Sequence, residues 1–72
     1  MKITLAGLFR YEKNSYNLMN RLKRLETDGC TEIYIRQGEY ISIGKMKYVL
    51  YDYSKQGYSL KEIESLIRNC SV

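Results

Sequence analysis

A chain of 72 residues makes one domain, 1–72, and at this length only about 60% of the surface of the unfolded chain is hidden on folding, so the stability margin is thin. Twelve Lys and Arg against eight Asp and Glu leave a net charge of +4, with no histidine and only two cysteines, Cys30 and Cys70, too few and too far apart for a zinc site. No run approaches the ~18 apolar residues of a membrane span, "MKITLAGLFRYEKN" turns charged too early for a signal peptide, and neither a Gly-rich phosphate loop nor a nucleophile with a base is present. These observations argue against metal, cofactor, small-molecule substrate, membrane and catalytic residues, and place both thiols in a reducing cytoplasm.

In chain order, residues 2–9, "KITLAGLF", alternate at Ile3, Leu5, Gly7 and Phe9, the period of a short N-terminal strand. "SYNLMNRLKRLETDG" then has the period of a helix. Ser15 suits the N-cap, Leu18, Leu22 and Leu25 recur at i, i+4 and i+7, and Gly29 suits a left-handed C-terminal position. The stripe, with Met19 at its edge, leaves Asn17, Asn20, Arg21 and Arg24 facing out.

"TEIYIRQGEYISIG" carries the clearest β pattern, with Ile33, Ile35, Ile41 and Ile43 alternating with polar and aromatic residues around a glycine. All four isoleucines share a face only if paired positions sum to an even number. A three-residue loop of Arg36, Gln37 and Gly38 satisfies this, with Gly38 at positive φ and Ile33 opposite Ile41. Tyr34, Arg36 and Tyr40 then occupy the other face.

After Gly44, "KMKYVLYDYSKQ" puts Met46, Val49, Leu50 and Tyr53 on one helical face and Lys47, Tyr48, Tyr51 and Lys55 on the opposite one. Gly57 stops this helix, and Ser59 with Glu62 forms the Ser-x-x-Glu capping box that opens the next. Leu60, Ile63, Leu66, Ile67 and Cys70 make the apolar side of that helix. The expected fold class is a small α+β domain: an N-terminal strand, one helix, a β-hairpin, and two C-terminal helices forming a helical hairpin.

The segment "YSKQGYSLKEIESLI" resembles the first two helices of helix-turn-helix DNA-binding domains, in which a Gly, a capping Ser or Thr and a Glu-Ile pair recur. Over residues 31–70, the succession of hairpin, helix, "QGYSLKEI" and helix is similar to the wing and following helix pair of MerR-type regulators. A strand followed by two helices joined through a Gly turn also resembles ribbon-helix-helix repressors. Together with the positive charge, these resemblances imply a DNA-binding transcriptional regulator, with Arg21, Arg24, Arg36, Lys45 and Lys47 as the phosphate contacts. In size and in lysine and tyrosine content, the chain also resembles short accessory reading frames of phages and prophages in low-GC bacteria.

Tyrosine gives a different expectation. Eight tyrosines in 72 residues exceed what a small core holds, because each buried hydroxyl must find a partner. Two surface patches follow: Lys47, Tyr48, Tyr51 and Lys55 on the middle helix, and Tyr34, Arg36 and Tyr40 on the hairpin. Tyrosine and arginine are enriched at the centres of protein interfaces. The favoured expectation is a non-enzymatic accessory protein that binds another macromolecule, either a second copy of itself as a homodimer or another protein, with nucleic acid as the alternative partner.

Overall fold

The structure is a computed structural model that describes residues 3–69; the expectations placed on Lys2 and Cys70 lie outside the described residues. The elements follow in the order α1 (Leu5–Tyr11), α2 (Ser15–Thr27), β1 (Glu32–Arg36), β2 (Glu39–Ser42), α3 (Ile43–Lys55) and α4 (Leu60–Asn69). The molecule is a small α+β protein in which one antiparallel hairpin sits among helices and the C-terminal pair is in place.

The N-terminal strand expected over residues 2–9 is instead mostly helix. Thr4 keeps an extended backbone and turns the chain into α1, its Oγ1 accepting a hydrogen bond from the Gly7 amide at 3.0 Å. Leu5, Leu8 and Phe9, at i, i+3 and i+4, are the residues that enter the core. A strand would have left Leu8 in water, and the helical period buries all three. What survives of the strand is a single parallel bridge between Thr4 and Tyr34, with the Tyr34 amide donating to the Ile3 carbonyl at 2.8 Å.

The N-cap of α2 is Asn14, one residue before the expected Ser15: Asn14 Oδ1 accepts from the Asn17 amide at 2.8 Å, and Ser15 becomes the first helical residue. Leu18 and Leu22 are buried and Leu25 is half-buried. Both α2 and α3 end in the same doubly bonded C-cap. Cys30 and Gly29 donate to the carbonyls of Leu25 and Glu26 at 2.9 and 3.1 Å, and Tyr58 and Gly57 to those of Tyr53 and Ser54, both at 3.1 Å. Gly57 has φ 94°, and the accompanying apolar contact is the Tyr53–Tyr58 pair, whose rings meet edge-on at 5.3 Å.

In the hairpin Ile33 pairs with Ile41, as parity requires, but the closure differs from a three-residue loop. Arg36 pairs with Glu39 across a two-residue turn, Gln37 and Gly38, with Gly38 at φ 77°, and the irregularity between Tyr34 and Arg36 leaves Ile35 as the extra residue on β1. A short turn plus a one-residue bulge gives the same offset as the longer loop, so Ile33, Ile35, Ile41 and Ile43 are all buried. Tyr34 and Tyr40 meet edge-on at 5.6 Å on the other face.

Ile43 is not the last strand residue but the first of α3, capped by Ser42 Oγ, which accepts from the Lys45 amide at 3.2 Å. Met46 and Leu50 are fully buried, with Val49 and Tyr53 packed at the core edge. The capping box of α4 is closed in both directions: the Ser59 amide donates to Glu62 Oε1 at 2.9 Å, and the Glu62 amide to Ser59 Oγ at 3.3 Å. Ile63 and Ile67 are buried and Leu60 packs beside them. One contiguous apolar cluster results, with α1 packed on α4 and β1, α2 along α3, and α4 against α3.

Candidate interaction surface

The side chains singled out in the sequence fall on three parts of the surface. The first is the outer side of α2 and α3. Glu26 of α2 is joined to Lys47 of α3 by an ion pair of 2.5 Å, while Ser15, Tyr16 and Met19 line a groove with Leu50, Tyr51 and Ser54. The two helices therefore run antiparallel, and Tyr16, at the start of α2, lies over the second half of α3. Tyr16, Tyr48 and Tyr51 are 74%, 68% and 61% exposed. Lys55 Nζ lies 6.0 Å from the centroid of the Tyr51 ring, within cation–π reach.

Of the four residues expected to form a patch on α3, Tyr48, Tyr51 and Lys55 thus share one open face. Lys47 is engaged in holding α3 to α2. Tyr16 and the half-buried Met19 join that face from the neighbouring helix. Their signal in the sequence was present at i and i+3 on α2, but only the packing of α2 on α3 brings them beside Tyr51.

The second part is the outer face of the hairpin. Tyr40 is 51% exposed and packs on Tyr34. Arg36, expected beside them as an interface residue, is turned to local duty: its Nε pairs with Glu39 Oε1 at 3.0 Å, and Nη2 donates to the Arg68 carbonyl near the C-terminal end of α4. A guanidinium there lies at the negative end of the helix dipole.

The third part is the set of basic residues. Arg21 pairs with Glu12 at 3.8 Å, Arg36 with Glu39 and Lys47 with Glu26. Among the described residues, Arg24 and Lys45 take part in no ion pair. Arg21 and Arg24 lie on α2, Arg36 on the hairpin and Lys45 and Lys47 at the start of α3, so three of the five carry a carboxylate beside them. Such pairing lowers the local positive potential that a phosphate would meet.

No known protein family, curated protein or solved structure matches the chain.

Proposed function

We propose that this is a small non-enzymatic cytoplasmic accessory protein that acts by binding another macromolecule, and that it self-associates as a homodimer through the tyrosine face of α2 and α3. The observation that carries this reading is the groove that Tyr16 and Tyr51 line with Met19 and Leu50, with Tyr48 three residues before Tyr51 on α3, each of the three rings more than three-fifths exposed. Large amphipathic rings give contact area at little cost in side-chain entropy. A second copy is the occupant because a chain of this length has a thin margin, which added apolar burial between copies would widen.

Sedimentation equilibrium tests the reading. The wild-type chain is expected to dimerise in the micromolar range, and Tyr51→Ala, which removes a ring from the centre of the face, to weaken dimerisation at least tenfold, about 1.4 kcal/mol. A strict monomer at high micromolar concentration would remove the dimer.

The net charge of +4 supports a second reading, a DNA-binding regulator of helix-turn-helix-like or ribbon-helix-helix-like type, with Arg24 and Lys45 as its most available contacts. Anisotropy of a labelled random duplex across a salt series separates the two. Affinity falling linearly on a log–log plot, with a slope of about −0.9 per phosphate contacted, favours the regulator, and no binding at low salt removes it.

A further inference from the structure

Alternation in the hairpin decides which backbone groups of β2 face outward. The Ile43 amide donates to the Thr31 carbonyl at 2.9 Å, whereas the Tyr34 amide donates away from β2, to Ile3. Hydrogen-bonded and non-bonded pairs alternate along an antiparallel ladder. Ile33–Ile41 is therefore a bonded pair, and Glu32–Ser42 and Tyr34–Tyr40 are not. The N–H and C=O of Tyr40 and the N–H of Ser42 point away from β1, while the Ser42 carbonyl belongs to the first turn of α3.

The two edges of this sheet are treated differently. Ile3 and Thr4 cover β1 at Tyr34, and among the described residues no strand covers β2. A cleft of about 310 Å³ runs along β2 instead, floored by Ile35 and Ile41 from the sheet, Val49 from α3 and Ile67 from α4. Lys45, exposed and outside any ion pair among the described residues, stands at the α3 side of it.

We infer that the β2 edge and this cleft bind an extended segment of a partner protein, apolar at alternate positions and carrying a carboxylate that meets Lys45. Outward N–H and C=O groups two residues apart on a strand are satisfied by another extended backbone, which also directs every second side chain to one side. The apolar floor receives those side chains, and the ammonium favours an acid at one end. The volume is near the lower bound of about 300–1,000 Å³ typical of ligand sites, suited to a few side chains and not to a folded domain. A helix would not serve, because its backbone groups are bonded internally. A second copy pairing by its own β2 would not fill the cleft either, since its inward residue Ile41 is buried in its own core. This inference is independent of the tyrosine face.

Selection of a random-peptide library displayed on phage against the full chain, followed by anisotropy with the labelled consensus peptide, tests it. The expected consensus alternates apolar residues with others and contains Asp or Glu. Tyr40→Pro removes one outward donor without touching the bonds to β1, since proline is tolerated on a sheet edge, and should weaken the peptide at least tenfold. Lys45→Glu, an exposed helical substitution that keeps the test decisive if the proline variant does not fold, should weaken it and redirect selection toward Lys or Arg. Tyr51→Ala should leave peptide binding unchanged. No enriched consensus, a consensus of helical spacing, or equal binding by the wild-type, Tyr40→Pro and Lys45→Glu chains overturns the inference. So do Tyr40 and Ser42 amide resonances that shift with protein concentration alone, which would put a second copy on the edge.

Discussion

Glu62 Oε1 accepts the Ser59 amide at 2.9 Å, and hydrogen bonds from Ser59 to the charged carboxylate, the backbone amide's foremost and its side chain's second, hold the carboxyl below the ordinary glutamate value. The native state therefore binds this proton less readily than the unfolded chain does. The stabilisation is complete above the unfolded-state pKa and is lost as pH falls through the lower native one. Glu62→Gln keeps an acceptor at the same place but does not titrate. Urea denaturation of the two chains should show the wild type more stable at neutral pH, with the gap closing below about pH 4.3. A gap independent of pH would mean that the carboxylate charge adds nothing to the box. The capping box was legible in the sequence because its partners are three residues apart and need no tertiary information. The same holds for Gly57, whose positive φ completes the end of α3.

At the scale of elements, locality again separates what the sequence disclosed from what it hid. The β-hairpin register followed from parity alone, because four isoleucines had to share a face. How the turn closes did not, since a three-residue loop and a two-residue turn with a bulge at Ile35 satisfy the same parity. The segment before α2 was the harder case. Ile3, Leu5, Gly7 and Phe9 fit a strand, and Leu5, Leu8 and Phe9 fit a helix, in a stretch too short for either period to win on its own. Packing against β1 and α4 settles it by burying Leu8, which is only 2% exposed. Leu8→Ala is accordingly expected to cost roughly 2–5 kcal/mol, as for other fully buried leucines, read as a lower urea midpoint. A cost under about 0.5 kcal/mol, the range of surface substitutions, would restore the strand with Leu8 facing water.

For the whole molecule, single residues of the candidate surfaces were easier to read from local spacing than the neighbours they keep. Tyr48 and Tyr51 were legible on α3 from helical spacing. The addition of Tyr16, the diversion of Lys47 to Glu26 and of Arg36 to Glu39 and the Arg68 carbonyl, and the open edge of β2 all depend on how elements pack, which no local pattern encodes. The distribution of charge bears directly on what the tyrosine face can do. Ion pairs such as Arg21–Glu12 and Arg68–Glu64 intersperse both signs, so two copies meeting through their tyrosines bring together a modest like charge of +4 each. Screening shortens the Debye length from about 10 Å at 0.1 M salt to about 3 Å at 1 M, which relieves that repulsion and leaves apolar burial in place. The dimer dissociation constant should therefore hold steady or tighten slightly between about 0.1 and 1 M salt, measured by sedimentation equilibrium. Dimerisation that weakens more than about tenfold over that range would mean that ion pairs across the contact, and not rings, hold the copies together.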